Sequence, residues 1–477
     1  MTRCSVCYPF RMRKILFVFL FAALPAVAQN TDIESLAGLQ FNFGNPGARS
    51  LGMGGAFLGL ADDASAAEAN PAGLTILRKP EVSIEARNYL EQQLLTTSGT
   101  YPQINRTAFS HYSPRVEPTF ASFVYPIKNF TLGVYYHEPL KNSGAGAIVP
   151  KRNQFTGAVE SDLPNFFLPT AGGGPVSQAE CEKIRQDKNN PGACFEFVVD
   201  PILTALDLQE RTYGAAVAYK IGNFSFGLTG RYQTFRESAF TFRLSSQTFE
   251  PLSFAVQSTA SSKGTSLAVK EQKDTTVAGG VKWTPNDKFS VGAVYKQGAR
   301  FVAPTLIANG ATGFDFVKLA DTTFHIPDVV GAGVSLRPIP VLTVNFDAVH
   351  VKYSNLIDDF ISTVGPLREF AHPYKINDVT ELHLGGEYFF STKIPFALRG
   401  GLWRDPNHSM TFNAPFTQPS VFDRGEAVAI AVLYPKGSAQ LHRSIGAGLS
   451  WTRFQVDAAY DTSKHYKVGS ISVVTRF

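Results

Sequence analysis

Long apolar runs are missing from this sequence. After residue 28 nothing approaches eighteen consecutive apolar residues, which excludes a membrane-spanning helix from everything downstream. Cysteine is scarce: four residues, of which only Cys181 and Cys194 lie beyond the first 28 positions. None of the nine histidines stands in a His-Glu-x-x-His spacing, so no metal site and no cofactor are expected. No serine sits in a Gly-x-Ser-x-Gly elbow, and His383 and Asp347 have no partner in the sequence that would assign them a role, so an enzyme is not expected. Charge of one sign is also lacking. The formal charge of +5 falls to about +1 once Arg3, Arg11, Arg13 and Lys14 are set aside, which removes the case for nucleic acid.

Those four basic residues belong to a distinct leader. Arg11, Arg13 and Lys14 precede the apolar run Ile15 to Leu24, and Ala26-Val27-Ala28 offers small residues for cleavage, the pattern of a signal peptide over 1–28. An exported chain without a membrane helix is either soluble or a barrel whose apolar face is spread over alternating strands. Thirty-nine Phe, seventeen Tyr and forty Gly lean toward β-structure.

From residue 80 onward the pattern has period two, in segments of about ten residues, the length a tilted strand needs to cross a bilayer. Val277, Gly279, Val281 and Trp283 share one face; Pro285-Asn286-Asp287 turns the chain; Phe289, Val291, Ala293 and Tyr295 share the next. The unit recurs around the turns 338–340 and 391–395 and again from Ile445 to Tyr460, with long polar connections between units. Strands are predicted near 80–90, 117–127, 129–138, 208–221, 223–243, 268–284, 288–300, 328–337, 341–353, 379–390, 394–404, 443–451, 453–461 and 467–477. The even count returns both ends to one side, as in an all-β transmembrane antiparallel barrel over 80–477. Trp283, Phe289, Trp451 and Phe454 lie beside short turns, where an interfacial girdle belongs, and Phe477 ends the last strand as in outer-membrane proteins.

The longest outward connection, 139–207, exceeds a plain loop and is expected to be functional. Phe166, Phe167 and Leu168 are candidates for ligand capture, with packing of the loop's own small core the equal alternative. Ser177-Gln178-Ala179-Glu180 is a capping box opening a helix toward Arg185, and Cys181 and Cys194 read as a disulfide in an oxidising compartment.

Residues 29–79 do not alternate. They carry Gly47-Ala48-Arg49, Gly52-Met53-Gly54-Gly55-Ala56, Asp62-Asp63-Ala64-Ser65-Ala66 and Asn70-Pro71-Ala72-Gly73-Leu74. Asp62 or Asp63 can cap a helix over 64–69, and Pro71 stops it. Small residues ahead of a barrel suggest a helical plug in the lumen, with Gly52, Gly54, Gly55, Asn70, Pro71 and Ala72 as candidate hinge or gate residues; for Asn70 and Pro71 a plain helix cap and a plain helix stop are the nearly equal reading. These motifs resemble the amino-terminal signature of the FadL/TodX family of outer-membrane transporters. Leu398-Arg399-Gly400-Gly401 and Asp457-Ala458-Ala459-Tyr460 are similar to its later strands.

The resemblance implies a fourteen-stranded barrel closed by a hatch. It implies uptake of hydrophobic small molecules such as long-chain fatty acids or aromatic hydrocarbons, by loop capture, lumen binding and hatch-gated passage. A chain of apolar patches gives such a solute stops worth about 0.8 kcal/mol per methylene, without the trap of one deep pocket. Arg231 and Arg399 point inward by alternation and are candidate lumen cations, with pairing to Glu381 or Glu387 the plainer reading. The expected partners are that ligand, outer-membrane lipid and lipopolysaccharide, for a monomer in the outer membrane. A structural or secretion-scaffold barrel is the alternative.

Overall fold

The computed structural model describes residues 44–89, 92–96, 107–112, 115–148, 150–152, 159–161, 166–187, 193–197, 202–244, 251–258, 261–263, 266–268, 271–309, 317–357, 374–409, 411–412, 424, 437–464 and 466–477. The signal peptide and the first part of the expected hatch, 29–43, lie outside them.

Fourteen strands make the wall: β1 (Glu81–Tyr89), β2 (Arg115–Ile127), β3 (Phe130–Ile148), β4 (Ile202–Ile221), β5 (Phe224–Leu244), β6 (Gln272–Asn286), β7 (Phe289–Lys296), β8 (Val329–Ile339), β9 (Leu342–Val351), β10 (Val379–Phe390), β11 (Phe396–Asp405), β12 (Gln440–Ser450), β13 (Phe454–Thr462) and β14 (Lys467–Arg476). Each pairs antiparallel with its sequence neighbour. β14 closes on β1 with Glu81 opposite Arg476 and Tyr89 opposite Val468, which leaves the wall without an edge. Additional short strands, such as Arg300–Asn309 with Val317–His325, extend the outer connections.

The period-two pattern sets which side chains meet lipid. Val277, Val281 and Trp283 on β6 are 40–49% exposed, while Thr276, Ala278 and Lys282 between them are buried. No described helix is long and apolar enough to cross a membrane. An outward apolar face around a closed ladder satisfies every backbone group without water. The turns at 128–129, 222–223, 287–288, 340–341, 391–395 and 451–453 share one end, where Phe477 N also donates to Pro80 O. Rings gather beside these turns: Phe130 with Tyr219 at 4.4 Å, Trp283 with Phe289 at 5.9 Å and Phe390 with Phe396 at 4.4 Å.

The largest difference from the expected boundaries is in the longest connection. The long connection is 149–201 rather than 139–207, because β3 and β4 pair on to Ile148 and Ile202. The register shifts between Glu210 and Thr212, opposite Glu138 and Pro139. A bulge holding a proline breaks the alternation there and hides the strand's continuation.

Residues 44–79 lie inside the barrel. The segment comprises α1 (Ala48–Gly52), α2 (Ala66–Ala69) and a 3-10 helix (Pro71–Ile76). Met53, Phe57, Leu60, Ala64, Ala67 and Leu74 form one buried cluster with Phe120, Val124, Tyr135, Ala216 and Ala218 of β2, β3 and β4. The expected helix over 64–69 is shorter at its start. Asp63 accepts from Ser65 N at 2.9 Å and Ser65 Oγ at 2.5 Å, which holds a turn and delays the helix to Ala66. Pro71 ends α2 and also begins the next helix, since proline lacks the N–H that a first helical position leaves unused.

Candidate functional site

The candidate site is the joint between the enclosed segment and the inner wall. Where the segment comes closest, the wall carries glycine. A Cβ at Gly280 would overlap Asn70 Oδ1, and one at Gly401 would overlap Gly54 N. Their cross-strand partners Gly227 and Gly385 are equally tight, against Ala72 N and Met53 O. Gly54 and Gly55 have φ of +64° and +79°, which a side chain would strain, and Gly52 sits with its Cβ position 3.1 Å from Gly446 Cα.

Polar wall residues bind the segment through its backbone, an arrangement that satisfies groups no regular ladder reaches. Asp347 Oδ2 on β9 accepts from Phe57 N at 2.6 Å and Leu58 N at 2.7 Å. Glu85 accepts from Gly47 N at 2.9 Å and Glu81 from Ala64 N at 2.7 Å. Ser290 donates to Gly59 O at 2.8 Å, Lys282 to Leu60 O, and His383 Nδ1 lies 2.7 Å from Gly54 O. Asn70, fully buried, donates to Leu58 O at 3.2 Å and Val281 O at 3.4 Å while its Oδ1 caps Ala72 N at 3.2 Å. It thus ties two parts of the segment to β6.

Two ion clusters complete the joint. Arg49 forks onto Glu387 at 2.9 and 2.8 Å and reaches Asp62 at 2.5 Å; Arg399 also donates to Glu387 at 2.7 Å and meets Asp457 at 2.8 Å. On the other side Glu68 of α2 meets Lys296 at 3.1 Å, Arg231 at 3.7 Å and His137 at 3.9 Å, and accepts from Tyr135 Oη. Burial alone would raise the Glu68 carboxyl, but Lys296, Arg231 and His137 outweigh it and hold it down to about 2.

Toward the long connections two clusters of flat side chains stand on the inner side. Phe235 stacks between Phe301 at 4.9 Å and Phe324 at 4.7 Å. Trp403 stacks on His442 at 3.7 Å, and both bond Asp461. Among the described residues no group of three or more acidic, His or Cys side chains is arranged to hold a metal ion.

Both predicted lumen cations face inward, and both are matched by carboxylates: Arg399 by Glu387, as the plainer reading has it, and Arg231 by Glu68 of the enclosed segment instead of Glu381 or Glu387. Cys181 and Cys194 are bonded, with Cα atoms 5.5 Å apart. Ser177 Oγ caps Glu180 N at the start of α3 (Gln178–Gln186). Phe166, Phe167 and Leu168 fall in the short strand Phe166–Pro169; Phe167 packs on the disulfide with Val176 and Ile184, and Leu168 is fully buried. The loop's own core is therefore where the last two side chains go. Sequence reasoning assigned no role to Asp347, His383, Lys296 or Glu68. The available signal was parity: each of the first three is a polar residue on the inward register of its strand.

No family model matches the chain, and no curated protein matches it by sequence. Solved structures do match. The CymD monoaromatic hydrocarbon channel has 15% identity and a TM-score of 0.54 over 92% of this chain and 99% of its own. The P. putida toluene transporter TodX has 14% identity and a TM-score of 0.55 over 91% and 99%. A Pseudomonas aeruginosa FadL homologue has 15% identity and a TM-score of 0.55 over the same shares. At such identity the likeness is one of fold, and this chain is a closed fourteen-stranded barrel of the FadL type.

Proposed function

We propose that this protein is an outer-membrane channel that takes up small hydrophobic molecules, with residues 29–79 acting as a hatch that must shift for passage. The observation that carries the reading is the joint itself. The described part of the hatch is held by side-chain bonds to its backbone, by glycine contacts and by two ion clusters. These are many separate contacts of modest strength, and such an interface can release without unfolding the wall. A segment serving only to fill the lumen would need apolar packing and little of this polar fastening. The similar structures include a monoaromatic hydrocarbon channel and a toluene transporter, which supports transport as the role.

In this reading a solute is collected by the outer connections, descends past the aromatic clusters of the upper wall and reaches the hatch. Asn70-Pro71-Ala72 is the latch, because Asn70 joins the two hatch arms to β6 and Pro71 fixes a helix junction where a small dihedral change redirects the chain. The test is uptake of a labelled aromatic hydrocarbon and a labelled fatty acid by cells with and without the protein. Faster uptake of either with the protein present supports the channel. Equal rates for every hydrophobic solute tried would remove it and leave a structural barrel.

A further inference from the structure

On β11 to β14 the aspartates all point inward, while three cations point outward. Asp405, Asp457 and Asp461 point inward and are taken up by His408, Arg399 and the His442, Trp403 and Ser444 group. Arg404, Arg443 and Lys467 point outward and are exposed. Among the described residues, these three have no carboxylate partner. Several other outward cations do: Arg211 meets Glu138 and Glu271, Lys141 meets Glu117, and Lys352 meets Asp328.

The three cations are neighbours. Arg443 stands opposite Thr462, and Thr462 opposite Lys467, so two cations flank a hydroxyl along one row across the sheet. Arg404 is one step diagonal, opposite Leu441, while Arg443 lies opposite Leu402. Next to this row is an apolar face of Leu402, Ile445, Tyr460 and Ile471, each at least 36% exposed. Arg443 lies about eight residues along β12 from Trp451 at the turn end, a climb of about 20 Å for a strand tilted ~40°, against an apolar band of about 25 Å. The cluster therefore stands at the outer margin of the hydrocarbon. There a cation needs an anion, and the described wall residues supply these three with none.

We propose that Arg404, Arg443, Thr462 and Lys467 form a binding site for the phosphate groups of a phosphorylated glycolipid of the outer leaflet, its acyl chains lying on Leu402, Ile445, Tyr460 and Ile471. Arginine gives a phosphate paired N–H donors, lysine adds a mobile charge, and the threonine hydroxyl sits between them. Charge complementarity selects the occupant: a row of cations directly above an apolar face matches a phosphate directly above acyl chains.

The proposal rests on the outer-membrane placement, and its test separates the two. Full-length protein in mild detergent is titrated with purified bisphosphorylated lipid A and with the same lipid after phosphatase treatment, and bound lipid is counted by native mass spectrometry. The parent should retain the phosphorylated lipid and bind the dephosphorylated one far less. The R404Q/R443Q/K467Q variant should lose about a hundredfold in affinity, and raised salt should weaken the parent toward the variant. K288Q/K393Q, at the turn end, should bind like the parent, and heat-modifiable migration shows that each variant is folded. Equal lipid binding by parent and triple variant, or indifference to the phosphates, overturns the site. So does a protein that co-purifies with the parent and is lost from the triple variant while lipid binding is unchanged. Recovery of the parent without detergent would instead overturn the membrane placement.

Discussion

Glu68→Gln isolates the electrostatic half of the hatch joint. The carboxylate is buried among Lys296, Arg231 and His137 and accepts from the Tyr135 hydroxyl. Gln keeps the shape and removes the charge, leaving Lys296 and Arg231 facing an uncharged amide. Removing one partner of a buried ion pair costs about 3–5 kcal/mol. At about 1.36 kcal/mol per decade, the low end alone raises the ratio of released to docked hatch by about a hundredfold. The barrel ladder is untouched, so the variant should assemble and remain heat-modifiable. In planar bilayers it should show more frequent or longer open events, and in cells the hatch should become accessible to protease from the turn end. The parent should reproduce this with acid. The group's value is depressed from 4.5 to about 2, so its contribution is complete above the ordinary carboxyl range and is lost as pH falls from about 4.5 through about 2. At pH 6 and above the Glu68 contribution itself is constant, so the difference between parent and variant should not change with pH there. A folded Glu68→Gln protein whose openings match the parent's at every pH would refute the idea that this cluster latches the hatch.

Asn70→Ala should slow uptake of a hydrophobic solute while assembly stays normal, because its three bonds hold residues 58, 72 and 281 together and without them the hatch no longer shifts as one unit; an unchanged rate in a folded variant would reduce Asn70 to a helix cap. Gly401→Ala should displace the hatch, read as protease sensitivity within 44–79, whereas Gly400→Ala, whose added Cβ meets nothing within 4 Å, should not. If both behave alike, close approach is not why Gly401 is there. Cys181→Ser should loosen the module around α3 by about 3 kcal/mol and expose it to proteolysis, with the barrel intact. Persistence of the module at parental stability would show that Phe167, Val176, Ile184 and the Arg424 contact to the Pro169 and Thr170 carbonyls suffice.

The wall was legible because its physics is periodic. Side chains alternate between lipid and lumen, so Val277 to Trp283 and Phe289 to Tyr295 announce strands on their own. The alternation failed where Pro139 sits in a bulge, so that the expected loop began too early, and it missed the strands Arg300–Asn309 and Val317–His325 in an expected loop. The hatch was legible as a departure from that period, and its glycines as places of close approach. Their partners were not, because a contact between residue 58 and residue 347, or between 68 and 296, joins points that no local pattern relates. Parity says only that Asp347, His383, Lys296 and Arg231 face inward. Whether an inward charge meets a ligand, a neighbouring strand or the hatch depends on where the hatch lies, and that is set by the fold as a whole. The fate of Phe167 and Leu168 was likewise open until the disulfide-bonded module gave them a core to fill.

If residues 29–79 close the lumen, a barrel lacking them should conduct. The deletion variant is purified, shown to be folded by heat-modifiable migration, and compared with the parent in planar bilayers at equal protein and salt. The account predicts a large, persistent rise in passive conductance, with Glu68→Gln lying between the two. A folded deletion variant that conducts no more than the parent would contradict it.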